Sequence, residues 1–193
     1  MPIADRFEVF LVHPGGVFSA VSLPRPLPDQ PVDVPDQSSV DRFLPKHKPR
    51  IKLDTEHPCA LGQMVAPGAY MEMRRDIQRA MEMVPDRFMQ IEDVFDFEFE
   101  RKYGMVEAVC CDDADIILAV SGTIAGTCRD VIESLRSRGE KAGMLKIKMF
   151  RPFPVEQIRR IVGRTKKVAV VDRNFSFGAG GIFAQEIQAA LCN

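Results

Sequence analysis

The chain has 193 residues, with 26 basic and 27 acidic side chains and a formal net charge of −1. That balance excludes a protein held on nucleic acid or on an anionic membrane by bulk charge. Hydrophobic residues make up 46% and charged ones 27%, the composition of a soluble globular chain long enough to bury roughly two-thirds of its unfolded surface.

No run approaches the ~20 apolar residues that span a bilayer. The opening Met1-Pro2-Ile3-Ala4-Asp5-Arg6 lacks the basic and apolar regions of a secretory signal, so the expectation is a cytoplasmic protein. Five cysteines, at 59, 110, 111, 128 and 192, form no CxxC, and the histidines stand apart at 13, 47 and 57. No zinc or iron–sulfur site is spelled out, and the cysteines are expected to be reduced packing residues.

Eleven of the 14 prolines lie within the first 67 residues. Each fixes φ, removes a donor and biases its predecessor toward extended geometry. Residues 1–66 therefore read as an extended arm or linker, with one helical turn around Ser38–Phe43. The basic tract Lys46–Lys52 has no interleaved aromatics and reads as solvated, with contact to an acidic partner surface as the alternative.

From Pro67 the pattern becomes helical. Tyr70, Met73, Ile77, Ala80, Met81 and Val84 recur at three- and four-residue spacing. Pro85 is expected to break that helix, and a second follows with Phe88, Ile91, Val94, Phe95 and Phe99. The five acids between Glu92 and Glu100 read as a solvated face, since nothing on a mobile surface would separate their pKa values for acid–base work. The methionines at 71, 73, 81, 83 and 89 suggest core or inter-subunit packing, or an adaptable binding surface. These helices make up 67–104.

Residues 105–193 alternate strand and helix. Met105–Val109 is a possible edge strand and Asp115–Val120 a short apolar one. A helix follows with Ile124, Cys128, Val131, Ile132 and Leu135 on one face, ending near Gly139. Met144–Phe150 alternates as a second strand. A short helix carries Val155, Ile158, Ile161 and Val162. Val168–Val171 has the continuous apolar character of a buried parallel strand. Phe177–Gly181 then turns into a last helix bearing Phe183, Ile187 and Leu191. Right-handed crossovers make this an open, mostly parallel three-layer αβα sheet.

That topology places Ser121–Thr123, Arg151–Pro154 and Asp172–Gly181 on one rim, where ligands of such sheets sit. The candidates are Ser121, Gly122, Thr123, Arg151, Arg173, Gly178 and Gly180. The amides after Gly178-Ala179-Gly180-Gly181 open a helix and could receive an anion. The segment is neither a Walker A loop nor GxGxxG, because Phe183 stands where the third glycine belongs. Ser121 and Thr123 read equally as helix caps, and Arg151 and Arg173 as anion clamps or as salt bridges to a neighbouring subunit. No catalytic residue can be named, because no histidine follows position 57 and no nucleophile–base pair reaches the rim.

Eight stretches, in order and in register, carry a family resemblance: Val34–Gln37, Ser39–Pro45, Tyr70–Arg74, Tyr103–Glu107, Asp113–Asp115, Gly122–Thr127, Phe150–Pro154 and Asp172–Gly178. From about Pro31 to Asn193 the chain resembles the second half of the alpha subunit of pyruvate:ferredoxin oxidoreductase, whose last domain is similar to the transketolase C-terminal domain. The resemblance implies thiamine-diphosphate-dependent oxidative decarboxylation, in which a 2-oxoacid and coenzyme A yield acyl-CoA, carbon dioxide and reduced ferredoxin. It further implies that this segment is scaffold. Thiamine diphosphate, magnesium and iron–sulfur clusters would be held by the alpha subunit's pyrimidine domain and by beta, gamma and delta subunits, with ferredoxin an indirect partner. Met1–Gln30 does not align, and a family member would carry a pyrimidine domain before Pro31 and a further strand after Asn193. The chain alone is expected to be inactive. The alternatives are a free-standing α/β module binding a nucleotide or anion at the rim, and an enzyme in its own right.

Overall fold

The computed structural model describes residues 34–44, 46, 48–49, 51–60, 62 and 64–192; the expectations for 1–33 lie outside the described residues. These fall into two compact units divided between Lys102 and Tyr103, each taken by itself.

The first unit carries three helices among its described residues. Helix α1 (Gln37–Phe43) replaces the single turn expected there. Its start is set by Asp36, whose Oδ1 accepts a hydrogen bond from Ser39 N at 2.8 Å, a side-chain cap on an otherwise orphaned amide. Helix α2 (Pro67–Glu82) has proline in its first turn. Helix α3 (Val84–Phe99) does too, so Pro85 belongs to the second helix rather than standing between the two. A proline at the first helical positions gives up a donor that had no intrahelical partner, which lets it open α3 as readily as it ends α2. Phe43 of α1 meets Phe95 and Phe99 of α3 edge-on, with ring centroids 5.2 and 5.5 Å apart. Arg42 forks onto Glu98, its Nε at 3.2 Å and its Nη2 at 2.9 Å from Oε2.

Two expectations are corrected in this unit. The acids of α3 are not uniformly solvated: Glu92 is buried and Glu98 pairs with Arg42. Of the two packing readings for the methionines, the core one is corrected: Met71, Met73, Met83 and Met89 are exposed, with Tyr70 and Ile77 of α2, and Met81 is half-buried. A helical period shows that one face is apolar, but only contacts can cover it.

The second unit is a four-stranded sheet between helices. It comprises β1 (Val106–Val109), β2 (Ile116–Ser121), α4 (Ile124–Ser137), β3 (Ala142–Ile147), α5 (Val155–Val162), β4 (Lys167–Val171) and α6 (Ile182–Leu191). The strand order is β1-β3-β2-β4. Strand β1 pairs antiparallel with β3, while β2 is parallel to both β3 and β4. The sheet is thus open and mostly parallel, with β1 the expected edge strand.

Alternation along the strands divides the core in two. Ile117, Ala119, Leu145 and Ile147 pack with Ile158 and Val162 of α5 and Ile187 of α6. Val120, Ala142 and Met144 pack on the other face with Ala125, Cys128 and Ile132 of α4. From β2 the chain steps to β3, then crosses back over β2 to reach β4, and crossovers of a single hand put α4 and α5 on opposite faces.

Some boundaries and faces differ from the sequence reading. Strand β3 begins at Ala142 and ends at Ile147, two to three residues before the expected span, because Ala142 is already paired to Ile116. Val131 is 44% exposed and Leu191 42%, so neither belongs to its expected buried face; Ala190 is buried in place of Leu191. Strand β4 does not have the expected burial: among the described residues it pairs only with β2, and its residues are half-buried or exposed. Val168 and Val170 pack on the core face shared with α5 and α6, while Val171 is exposed.

Candidate functional site

The strand order narrows the rim to one crevice. Strands β2 and β4 are neighbours, and the helices that follow them lie on opposite faces, α4 on one and α6 on the other. The loops after such a pair diverge and leave an opening at the carboxyl ends. Here it lies between Ser121-Gly122-Thr123 and Asp172–Gly181.

On the first wall the polar groups have structural tasks. Ser121 Oγ donates to the Ile147 carbonyl at 3.0 Å, tying the ends of β2 and β3, so it is not a helix cap. Thr123 stands at the N-cap position of α4 but makes no side-chain capping bond. Gly122 has φ of 69° with open space around it, so it serves the turn and not a close approach. Arg151, after β3, donates to Glu186 Oε1 at 2.5 Å and to the Phe150 carbonyl at 2.9 Å, with its guanidinium 4.0 Å from the Phe150 ring centroid. It ties this loop to α6 within the chain.

On the second wall a carboxylate of the chain itself stands at the start of α6. The N-terminus of α6 is already occupied by Asp172: Oδ2 accepts from Phe183 N at 3.0 Å and Oδ1 from Asn174 N at 2.8 Å. A carboxylate at a helix N-terminus satisfies orphan amides and opposes the positive end of the helix dipole, so an incoming phosphate would meet a negative charge in its place. Gly181 makes this possible, because a Cβ there would stand 2.9 Å from Asp172 Oδ2. Gly178 and Gly180 have φ of 80° and 94° with nothing within 4 Å of a Cβ. They shape a small hairpin in which Ser176 and Gly180 exchange backbone hydrogen bonds, each 2.9 Å. The hairpin leaves Phe175 67% and Phe177 95% exposed, and Arg173 is exposed beside them. The sequence signal for all this was the Asp172/Gly181 pair flanking a phenylalanine-rich turn, but only the fold brings the two together.

Elsewhere in the unit, charges serve the fold. Glu107 of β1 faces Lys146 in register, accepts from Arg129 of α4 and pairs with Lys148 at 3.0 Å. Partial burial raises its pKa, but the Lys148 hydrogen bond and the Lys148, Arg129 and Lys146 charges outweigh that and hold it below the usual glutamate value. Cys128 is buried, and Cys111 is half-buried with its thiol donating to the Met144 carbonyl at 3.2 Å. Burial pushes both thiols up, away from the reactive thiolate range. Cys59, Cys110 and Cys192 are exposed, contrary to the expectation that the cysteines are packing residues. Among the described residues no group of three or more His, Cys, Asp or Glu side chains could hold a metal ion, and no helix is long and apolar enough to cross a membrane.

Residues 114–193 match the family "Pyruvate:ferredoxin oxidoreductase core domain II". Over 84% of its length the chain is 42% identical to pyruvate synthase subunit PorA of Methanothermobacter thermautotrophicus, covering 42% of that protein. It is 40% identical, over 84% of its length, to ketoisovalerate oxidoreductase subunit VorA of Pyrococcus abyssi, again covering 42% of the relative. A solved 2-oxoglutarate:ferredoxin oxidoreductase from Magnetococcus marinus is similar at 25% identity and a TM-score of 0.43, over 65% of this chain and 19% of that one. The chain thus spans less than half the length of the curated relatives it matches. By sequence it is a relative of the alpha subunits of the 2-oxoacid:ferredoxin oxidoreductases, and its residues 114–193 belong to the pyruvate:ferredoxin oxidoreductase core domain II family.

Proposed function

We propose that this chain is the C-terminal, structural and assembly part of the alpha subunit of a thiamine-diphosphate-dependent 2-oxoacid:ferredoxin oxidoreductase, an enzyme that makes acyl-CoA, carbon dioxide and reduced ferredoxin. The observation that carries the reading is the match to pyruvate synthase and ketoisovalerate oxidoreductase alpha subunits over 84% of the chain. The rim supports a scaffold role: Ser121, Arg151 and Asp172 make hydrogen bonds within the fold, and the Phe183 amide in the first turn of α6 is bonded to the Asp172 carboxylate. Residues 1–66 form the arm, 67–104 the helical segment and 105–193 the α/β domain of this part. Thiamine diphosphate, magnesium and the clusters belong to the pyrimidine domain and to the beta, gamma and delta subunits. The complex works in the cytoplasm and reaches ferredoxin through those subunits.

The test is binding by the isolated chain against binding by the assembled subunits. Isothermal titration with ADP, coenzyme A and thiamine diphosphate is expected to show no heat of binding to the chain alone at micromolar concentrations. Co-expression with the other subunits is expected to yield one complex with 2-oxoacid-dependent ferredoxin reduction. Micromolar binding of ADP at the rim, with no association, would replace this reading with the free-standing anion-binding module.

A further inference from the structure

We propose that Cys110 and Cys111 are a redox-modifiable dithiol, which the disulfide of a small thiol converts into a vicinal disulfide between these two neighbours. The site lies in the turn between β1 and β2 and stands apart from the subunit role proposed above.

Adjacent cysteines within a strand would point to opposite faces. Here the strand ends at Val109, and Cys110 takes φ of 52°, a left-handed backbone that residues with a side chain rarely adopt. Glycine would sit there without strain, yet the position carries a thiol, and the fold holds it. Arg136 Nη2 donates to the Cys110 carbonyl at 2.6 Å, while the same guanidinium forks onto Asp113 at 2.7 and 2.9 Å. Gly143 leaves the room, since a Cβ there would stand 2.7 Å from the Cys110 oxygen. A strained residue fixed from several sides points to a function at that residue. Because Asp113 shares the charge of Arg136, adjacency of the two thiols drives the chemistry rather than a free cation beside them.

The order of reaction follows from exposure. Cys110 is exposed and Cys111 half-buried, and burial disfavours the Cys111 thiolate. Cys110 therefore attacks first: its thiolate bonds to one sulfur of the small disulfide, whose S–S bond breaks and releases one small thiol. Cys111 then gives its proton to water and attacks the Cys110 sulfur, releasing the second small thiol. Two hydrogens and two electrons pass from the protein to the small disulfide, which leaves as two thiols. The second step is intramolecular, and that proximity offsets the weak ionisation of Cys111. Cys128 is no competitor, because Cys111 packs on the α5 and α6 side of the sheet and Cys128 on the α4 side. Neighbouring Cα atoms are about 3.8 Å apart, short of the roughly 4.4–6.8 Å usual across a disulfide. The ring is thus strained and readily reduced, which makes it a reversible modification and not a structural bridge. It also has a consequence for the fold. The Cys111 thiol donates to the Met144 carbonyl at 3.2 Å, beside the Val109–Met144 pair that ends β1, and a disulfide sulfur has no hydrogen to donate.

The experiment treats the full chain with oxidised glutathione, blocks remaining thiols with N-ethylmaleimide and maps the products by peptide mass. The 110–111 peptide is expected to lose two hydrogens and carry no adduct, with both thiols restored by dithiothreitol. Exposed Cys59 and Cys192 are expected to stop at the glutathione adduct. In Cys111→Ser, whose hydroxyl keeps a donor for the Met144 carbonyl, the Cys110 adduct should persist at least about tenfold longer than in wild type. A lasting adduct on Cys110 in the wild type, or a link from Cys110 or Cys111 to Cys59 or Cys192, would overturn the vicinal pair. Amide hydrogen exchange at Val106–Val109 is expected to be faster in the oxidised chain than in the reduced one. Equal exchange in the two forms would overturn the coupling of the dithiol to β1.

Discussion

Asp172 and Phe183 are joined by a hydrogen bond of 3.0 Å from the Phe183 amide to the Asp172 carboxylate, which links the end of β4 to the first turn of α6. The same carboxylate binds Asn174 N, so one side chain organises both the helix start and the hairpin before it. Asp172→Ala is expected to lower stability by about 1–2 kcal/mol, read as a shift of the urea midpoint with an unchanged slope. Asp172→Asn, which keeps an acceptor, should recover part of the loss. If both variants match wild type, the carboxylate is not what holds α6.

Gly143 sets a second close approach. A Cβ at this position in β3 would stand 2.7 Å from the Cys110 carbonyl oxygen and 3.1 Å from the Ala114 Cβ. The first neighbour is backbone in a turn where Cys110 has φ of 52°, and the second is a short, rigid side chain. Neither can move aside as a flexible chain end would. Gly143→Ala is therefore expected to cost about 2 kcal/mol or more, despite the better strand propensity of alanine. Chemical denaturation checks this, and an unchanged midpoint would show that the turn yields.

The core is divided by the sheet, and each half can be probed separately. Ile132 of α4 and Ile158 of α5 both have zero exposed surface on opposite faces. Truncating either to alanine is expected to cost about 2–5 kcal/mol. If the unit is cooperative, both variants should also lower the common transition of the sheet, monitored by far-ultraviolet dichroism. Loss of one helix alone would show that the two layers melt independently.

Glu107 gives the unit a dependence on acid. Its pKa is depressed below the ordinary value of 4.5, so the native state favours the charged form more than the unfolded state does. The stabilisation is present above the unfolded pKa and is lost as pH falls through the lower folded value. Lowering pH from 6 to about 3 should therefore destabilise the wild type more than Glu107→Gln, which has no charge to lose. Parallel pH profiles for the two proteins would assign the acid sensitivity elsewhere.

Much of the fold was legible because it follows from periodicity and chain order. The apolar runs at Asp115–Val120 and Val168–Val171, the helical spacing of Ile124 to Leu135, and the short links between them specify alternating strands and helices. Eight motifs in register specified the family. The prolines placed the helix boundaries near 67 and 85, although which side of the boundary Pro85 joins depends on donors that become orphaned only once the helix forms.

The rim was legible only as a place. Its residues stand far apart in the chain, and their roles depend on partners the topology brings near. Ser121 finds the Ile147 carbonyl 26 positions away, Arg151 finds Glu186 across 35, and Asp172 reaches the Phe183 amide of α6 11 residues on. Local sequence leaves each of these groups equally available to a ligand or to the fold, because hydrogen-bond capacity is a property of the residue whereas its partner is a property of space. Sequence alone therefore determined the class of the chain and its family. Tertiary structure decided that the helix terminus suited to an anion holds the protein's own carboxylate, and that what remains exposed there is a pair of phenylalanines beside an arginine.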